Sequence, residues 1–348
     1  MRAAAIAWLS ALAAAAAPAP AAEGFVDPLD GAARESALAS RGLLTAVVRA
    51  GRRLVAVGQR GHVLTSDDGG ASWTQARVPV STDLTSACFP SPLRGWAAGH
   101  DGVVLATADG GRTWVKQLDG RRIGPLLAER YAGAAGAEPP WLREQLAVLA
   151  AQGVGQSLLD VWFEDERSGF AVGAFNLVLR TEDGGESWTP WLHRLPNPRG
   201  LNLHAIRRVA GEIYAVGEQG LVLKLDPERQ RFEPLDVESR GSFFGVAGTG
   251  RAVVAYGLRG NVFRSVDGGA RWRKVHTGLE AALTGAVSLP DGRLVLVSQA
   301  GHLLVSADGG ASFTLARGPS LPAAAVADAE EDTLVIVGAR GVRRERLR

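Results

Sequence analysis

The chain has 348 residues, of which 46% are hydrophobic and 21% charged, and its 44 glycines suit a fold with many tight turns. The formal net charge of +2 does not indicate a nucleic-acid partner, and a composition this apolar argues against a long disordered region. Cys88 is the only cysteine, which excludes an internal disulfide, and its apolar surroundings favour a buried, inert thiol.

The first 25 residues, MRAAAIAWLSALAAAAAPAPAAEGF, have the order of a secretory signal peptide. Arg2 supplies a short basic region, residues 3–17 are apolar, and small residues follow at 19–22. The apolar run is too short and too rich in alanine for a good membrane span. We expect a signal peptide at residues 1–22, cleaved near Ala21 or Ala22, and a mature protein of residues 23–348 in the periplasm.

An octapeptide such as TADGGRTW recurs five times in the rest of the chain. It opens on Ser or Thr at positions 66, 107, 181, 265 and 306. One interval spans two units of about 42 residues, and a degenerate copy, LKLDPERQRF, stands in it at 223–232. Another interval holds one unit and an insertion of about 33 residues. A period near 40 residues indicates a repeat architecture.

Each unit contains four short β-rich runs separated by turn residues, which is typical of one blade of a β-propeller. The units span 43–80, 84–120, 158–195, 203–237, 242–278 and 283–318, and a seventh begins at Ala323 without a fourth strand. We predict an all-β protein: a seven-bladed β-propeller over 23–348 with a helical insertion between blades 2 and 3. Because an open sheet edge is a liability, we expect residues 24–29, GFVDPL, to supply the missing outer strand of blade 7.

The octapeptide follows Ser/Thr-x-Asp-x-Gly-x-x-Trp/Phe and resembles the Asp box of the bacterial neuraminidase repeat. Its Asp can accept bonds from backbone N–H groups, its Gly permits a positive φ, and its aromatic ring packs between blades. A single carboxylate per box argues against calcium binding. The fivefold recurrence of the box argues against a catalytic role. The predicted structural residues are Asp68, Asp109, Asp183, Asp267 and Asp308, with Trp73, Trp114, Trp188 and Trp272.

The turns between the second and third strands share a propeller face with the interblade links, opposite the Asp boxes. Aligning these turns places Arg60, Asp101, Phe175, Gln219, Arg259, Ala300 and Arg340 at one position. The predicted partner-binding residues are Arg60, Arg259 and Arg340 of the turns, Arg199 and Arg240 of the links, and the nearby His62 and Asn261. Such a face would capture a carboxylate-bearing peptide or chain terminus. The alternative is a set of solvated turn residues in a protein rich in arginine.

The chain shows no Ser-His-Asp arrangement, phosphate-binding loop or dinucleotide fingerprint. A metal site built from His62, His100 and His302 lacks paired spacing and a supporting carboxylate cluster. We therefore predict no catalytic residue, no metal and no cofactor.

Residues 121–156 interrupt the repeat with helical patterns. Pro139 and Pro140 suit a helix start, and Leu142, Leu146 and Leu149 fall on one face. Because the insertion links blades 2 and 3, we expect it on the same face as the arginine turns. It would pack on the propeller or dock a partner helix.

Several stretches resemble the photosystem II stability/assembly factor family of seven-bladed propellers. They are VAVGQRGHVLTSDDGGASW, GWAAGHDGVVLATADGGRTW, LLDVWFEDERSGFAVGAFNLVLRTEDGGESW and GLRGNVFRSVDGG. The resemblance implies a non-enzymatic protein that binds the new D1 reaction-centre protein through an arginine patch. By position, Arg60, Arg259 and Arg340 are the candidates for that patch.

With its insertion and leader, the chain is similar to the exported proteobacterial branch, which accompanies resistance-nodulation-division transporters and outer-membrane partners. The resemblance implies a monomeric periplasmic scaffold that docks a membrane protein or transporter, and D1 only if the host is photosynthetic. The alternative is a sialidase-like glycoside hydrolase acting on exported glycans. Its weakness is the missing Arg-Ile-Pro opening motif of sialidases and a chain with only three tyrosines, Tyr131, Tyr214 and Tyr256.

Overall fold

A computed structural model describes residues 25–132, 139–330 and 332–347, so the predicted signal peptide lies outside the described residues. These residues form seven antiparallel sheets whose strands pair in chain order, six with four strands and one with three. The predicted seven-bladed propeller is confirmed, and each blade begins within two residues of its predicted start. Within the described part of the chain, no helix is both long and apolar enough to cross a membrane.

The first four blades have the following strands. Blade 1 comprises β1 (Leu44–Ala50), β2 (Arg53–Gly58), β3 (Val63–Ser66) and β4 (Thr74–Gln75). Blade 2 comprises β5 (Leu84–Cys88), β6 (Gly95–Gly99), β7 (Val104–Thr107) and β8 (Val115–Leu118). Blade 3 comprises β9 (Leu158–Phe163), β10 (Gly169–Gly173), β11 (Val178–Thr181) and β12 (Thr189–Pro190). Blade 4 comprises β13 (Leu203–Val209), β14 (Glu212–Gly217), β15 (Val222–Asp226) and β16 (Arg231–Pro234).

The last three blades complete the ring. Blade 5 comprises β17 (Phe243–Thr249), β18 (Ala252–Gly257), β19 (Val262–Ser265) and β20 (Arg273–Val275). Blade 6 comprises β21 (Leu283–Ser288), β22 (Leu294–Ser298), β23 (Leu303–Ser306) and β24 (Thr314–Arg317). Blade 7 comprises β25 (Ala325–Asp328), β26 (Thr333–Gly338) and β27 (Gly341–Arg346). The insertion forms α1 (Gly120–Tyr131) and α2 (Pro140–Gln152).

Neighbouring blades are joined by side chains at a β-bulge near the start of the innermost strand. The bulge lies between Leu44 and Ala46 in blade 1 and recurs in blades 2 to 6. It leaves Thr45 free to donate from its Oγ1 to the carbonyl of Leu84 in the next blade, at 2.6 Å. The same link is made by Thr85 to Leu158, His204 to Phe243 and Thr284 to Ala323.

The Asp boxes form the predicted turns between the third and fourth strands. In blade 1, Asp68 Oδ1 accepts from Ser66 Oγ at 2.8 Å and from the backbone N–H of Ser72 at 2.9 Å. Trp73 donates from Nε1 to the carbonyl of Gly70 at 3.1 Å, which ties the ring to the turn. The side-chain and backbone bonds from Ser72 hold the pKa of Asp68 far below its usual range. The box is therefore a turn whose hydrogen bonds are made within the box itself.

The N-terminal segment does not complete blade 7, so the expectation for residues 24–29 is wrong. Residues 25–29 form no strand, and blade 7 has three strands within the described residues. Leu29 is 3% exposed and packs among core residues of blades 1 and 2, and Ser81 donates its N–H to the Pro28 carbonyl at 2.8 Å. The physical reason is that Leu29 is buried in an apolar site between blades 1 and 2, which draws the segment away from blade 7. Blade 1 packs directly on blade 7, where Val47 and Val335 share one core.

The insertion is helical, as predicted, and of the two alternatives for its role the structure shows packing on the propeller. Asp119 caps α1 by accepting a backbone N–H at 3.1 Å, and Pro140 occupies the first turn of α2. Leu142 and Leu149 are fully buried in the core of blades 2 and 3, with Leu146 partly buried against it. The three leucines therefore face the propeller.

Candidate docking face

The face that carries the turns between second and third strands, together with the interblade links, is called the turn face here. The opposite face, which carries the Asp boxes, is called the box face. In blades 1 to 5 the central turn residue has a left-handed backbone, with φ between 52° and 57° for Arg60, Asp101, Phe175, Gln219 and Arg259. The shared geometry confirms that these residues are equivalent.

Glycines on either side of the turn explain why it recurs. A Cβ on Gly58 would lie 2.2 Å from the Leu43 carbonyl oxygen, and one on Gly61 would lie 2.2 Å from that of Val80. Each turn thus presses against the link before it and the link after it. The N–H of Arg60 donates to Asp83 Oδ1 at 2.7 Å, which fixes the central residue at the apex.

The five predicted arginines are all exposed on the turn face: Arg60, Arg199, Arg240, Arg259 and Arg340. None of them forms an ion pair with another described residue. Arg199 donates from Nη1 to Gln219 Oε1 at 2.7 Å, which leaves its charge uncompensated. Exposed Glu238 and Glu280 also lie on interblade links, so the face carries both signs of charge.

Three arginines of the box face form ion pairs. Arg53 pairs with Asp67 at 2.6 Å, Arg293 with Asp291 at 2.6 Å, and Arg49 with Asp328 at 2.9 Å. The five turn-face arginines differ from these three, because an arginine without a local partner keeps its donors for a carboxylate on another molecule.

The insertion divides the turn face into a covered part and an open part. Helix α1 contacts the blade 2 turn, His100–Gly102, and α2 contacts the blade 3 turn, Ala174–Asn176. The five arginines belong to turns and links from the end of blade 3 through blades 4, 5 and 7 to blade 1. We call the turn face of blades 4 to 7 and 1 the open arc.

Exposed apolar side chains accompany the arginines. Leu43, Leu258 and Leu321 lie on the open arc and are 38%, 39% and 41% exposed. Phe175, at the border with the insertion, is 37% exposed and has a φ of 54°, which is strained for a bulky residue. Apart from the position of Phe175 in the turn alignment, no local sequence pattern indicates this strain. The open arc therefore combines cations with apolar contact points.

The two remaining predicted residues lie at different depths. Asn261 is half-buried, and its side-chain amide lies against Gly241 of the link next to Arg240. His62 is only 7% exposed, and its ring bonds to the backbone of Arg34 in the N-terminal segment. Burial lowers the pKa of His62, so the ring stays neutral near pH 7. Asn261 is therefore accessible enough to belong to the candidate docking face, whereas His62 is not.

Cys88 and the possible metal ligands complete the set of groups considered from the sequence. Burial raises the pKa of the Cys88 thiol, whose Sγ accepts the N–H of Phe163 at 3.3 Å. Across the residues that the structure describes, no group of three or more His, Cys, Asp or Glu side chains is placed to hold a metal ion.

Comparison with known proteins places the chain in a family. The model of the photosynthesis system II assembly factor YCF48 matches residues 140–317, about half of the chain. The rice (Oryza sativa subsp. japonica) chloroplast photosystem II stability/assembly factor HCF136 is 25% identical over 219 residues, 55% of this chain and 52% of the relative. The photosystem II assembly lipoprotein Ycf48 of Synechococcus sp. (strain CC9902) is 26% identical over 147 residues, 41% of this chain and 44% of the relative. The chain thus spans about half the length of the curated relatives that it matches.

Solved structures share the fold. YCF48 bound to D1 peptide superposes with a TM-score of 0.64 at 17% identity, covering 89% of this chain and 94% of the other. YCF48 from Cyanidioschyzon merolae gives 0.60 at 16% identity, covering 87% and 94%. The GH74 enzyme of Niastella koreensis gives 0.59 at 12% identity, covering 88% and 52%. At these identities the likeness shows the propeller fold alone, whereas the family model spans blades 3 to 6 in sequence: the chain belongs to the YCF48 family of photosystem II assembly factors.

Proposed function

We propose that this chain is a non-enzymatic periplasmic scaffold that docks a segment of a membrane protein on the open arc. The observation that carries the proposal is a set of five exposed arginines without ion partners among the described residues. They lie on the part of the turn face that the insertion leaves uncovered. Their guanidinium groups would bind carboxylates, and Leu258 and Leu321 would contact apolar side chains of the same segment.

Relatives support a membrane-protein partner. A YCF48 protein has been solved bound to a D1 peptide, and the two curated relatives are named for photosystem II assembly. In a photosynthetic host the partner would be the D1 protein. In a non-photosynthetic host it would be a transporter complex of the resistance-nodulation-division type, as the exported branch implies. The signal-peptide pattern at 1–22 supports the periplasm, and the scaffold would act as a monomer.

The test compares two triple variants that remove the same charge from opposite faces. The first carries Arg60→Ala, Arg259→Ala and Arg340→Ala. The second carries Arg52→Ala, Arg112→Ala and Arg251→Ala, all exposed residues of the box face. We expect the first variant to lose co-purification of a membrane protein from envelope membranes and the second to retain it. Equal retention by both variants contradicts docking on the open arc.

A glycoside hydrolase is the alternative function. The likeness to the GH74 enzyme shows the shared fold and carries no activity. Turnover of a sialoside or of aryl glycosides by the purified protein, abolished by a point substitution in the propeller, would establish this alternative in place of the scaffold.

A further inference from the structure

The central channel holds polar groups that break the repeat. Just past the bulge in blades 1 to 6, and at the equivalent position of blade 7, a residue of the innermost strand pairs with a residue of the second strand. The seven pairs are Ala46–Val57, Ser86–Ala98, Asp160–Val172, Ala205–Val216, Gly245–Tyr256, Gly285–Val297 and Ala325–Val337. Most pairs join small and apolar residues, as a filled propeller core requires. The large or charged exceptions are Asp160 and Tyr256.

Asp160 is 3% exposed and already has its hydrogen bonds. Its Oδ1 accepts from Ser86 Oγ at 2.6 Å, and its Oδ2 accepts from the N–H of Ile206 at 2.8 Å and from Arg207 Nη1. These bonds join blades 2, 3 and 4. The carboxylate therefore has little capacity left for a ligand, and its charge is balanced by Arg207.

Arg207 and Tyr256 retain donors that no described residue accepts. Among the residues that the structure describes, Arg207 bonds only through Nη1, to Asp160 and to the Ile206 carbonyl. Its Nε and Nη2 therefore form a donor edge without an acceptor among those residues. Its side chain is 35% exposed within the channel wall. Tyr256 is 7% exposed, lines the channel, and makes no hydrogen bond to the described residues. Burial raises the pKa of Tyr256 to about 12, so its hydroxyl remains a donor at neutral pH.

Gly245 allows Tyr256 to reach the channel. Tyr256 belongs to the second strand, and its ring crosses the innermost strand over Gly245. A Cβ on Gly245 would lie 2.1 Å from Tyr256 Oη. The strand itself tolerates a side chain there, because Ala46, Ala205 and Ala325 occupy the equivalent position in other blades. The glycine is therefore explained by the position of the hydroxyl.

The cavity around these donors has a volume of about 850 Å³ and extends along the innermost strands, from Phe244 to Gly250 in blade 5. Apolar wall residues include Val48, Phe244 and Val287. Arg207 and Tyr256 line this same cavity, and the charge of Arg207 acts on the Tyr256 hydroxyl. A guanidinium and a hydroxyl in one cavity supply donors for the two oxygens of a carboxylate. Since Asp160 already balances Arg207, a monoanion is favoured over a dianion.

We infer that the central channel binds a small monocarboxylic acid with an apolar body, held by Arg207 and Tyr256. This site lies inside the ring, goes beyond the docking function and does not rest on it. Its occupant would be a free small molecule, since the donors lie in a cavity of about 850 Å³ inside the ring.

The experiment titrates benzoate and hexanoate into the full mature chain, with benzyl alcohol and hexan-1-ol as uncharged matches, and observes the ligand by saturation-transfer NMR. Tyr256→Phe removes only a hydroxyl without a protein partner, so it should fold. Tyr214→Phe is the matched control, because Tyr214 is fully buried outside the channel and its hydroxyl also lacks a protein partner.

We expect saturable binding of at least one carboxylate, and at least about tenfold weaker binding of its alcohol. Tyr256→Phe should lower the affinity for the carboxylate by about tenfold or more. Gly245→Ala should also lower this affinity, because its methyl group displaces the hydroxyl. Tyr214→Phe should leave the affinity unchanged. Absence of binding by both carboxylates, or equal affinity in Tyr256→Phe and the wild type, would overturn the inference.

Discussion

Gln145 of the inserted helix α2 and Asn176 of the blade 3 turn are joined by a buried hydrogen bond of 2.9 Å. Gln145 also donates to the carbonyl of Asn197 at 2.6 Å, and Asn197 donates to Asn176 Oδ1 at 3.1 Å. The three side chains lock the insertion onto the link between blades 3 and 4. This lock keeps α2 over blade 3 and leaves the open arc uncovered.

Gln145→Ala should therefore loosen α2. The substitution strands a buried amide and a buried carbonyl, at a cost of about 1–3 kcal/mol. Hydrogen exchange should accelerate in α2 while the blade strands stay protected. Glu144→Ala, at an exposed neighbour on the same helix, is the control. It should change neither the stability nor the hydrogen exchange of α2. Unchanged exchange in α2 after Gln145→Ala would show that the leucine contacts alone hold the helix.

Thr107 tests whether the Asp box acts as a structural turn. Thr107 is only 4% exposed. Its hydroxyl donates to Asp109 at 2.8 Å and accepts the N–H of Gly111 at 3.1 Å. The hydroxyl also accepts the N–H of Asp109 at 3.3 Å. Thr107→Val keeps the shape and removes all three bonds, so we expect the free energy of unfolding to fall by about 1–3 kcal/mol. Thr113→Val removes an exposed hydroxyl from the same carboxylate and should cost less. Denaturant unfolding with equal losses for both variants would contradict this ranking.

His193 makes the attachment of α1 sensitive to acid. Its Nε2 accepts from Arg130 at 3.0 Å and from Arg194 at 3.2 Å, and its Nδ1 lies 3.0 Å from Tyr131 Oη. This arrangement requires Nε2 to be unprotonated. Burial, with repulsion from the two arginines, lowers the pKa of His193 to about 4.

An unfolded histidine protonates near pH 6.5, so the unfolded chain binds the proton first as the pH falls. The contribution of His193 to stability is complete above about pH 6.5 and is lost as the pH falls toward 4. The melting temperature of the wild type should therefore drop more steeply over this range than that of His193→Gln. Parallel melting curves across the range would show that His193 does not titrate in this way.

Phe175 allows binding to be separated from stability. Asn accepts a left-handed backbone better than Phe does, so Phe175→Asn relieves strain of about 1 kcal/mol. We expect a melting temperature that is unchanged or higher, together with weaker retention of the membrane partner. Asp101→Asn, at the equivalent turn under the insertion, should affect neither. A lower melting temperature with normal retention would mean that Phe175 serves the fold.

Features that repeat along the chain could be predicted, and features that join distant segments could not. The Asp boxes predicted the blade count because each box satisfies its own turn locally. The turn alignment likewise placed Arg60 and Arg259 at equivalent apices. By contrast, the burial of His62 under the N-terminal segment, the site of Leu29 between blades 1 and 2, and the bonds of Asp160 depend on contacts without a local pattern. Pairing of arginines also depends on such contacts, so the sequence could not separate the unpaired arginines from the paired ones.

Leu258 and Val266 lie on opposite faces of the same blade, at the turn and at the Asp box of blade 5, and are 39% and 47% exposed. A photo-crosslinking amino acid at each position therefore compares the two faces directly in intact cells. Docking on the open arc predicts a covalent adduct with a membrane protein from position 258, absent when Arg60, Arg259 and Arg340 are replaced by Ala. An adduct from position 266 with none from position 258 would contradict it.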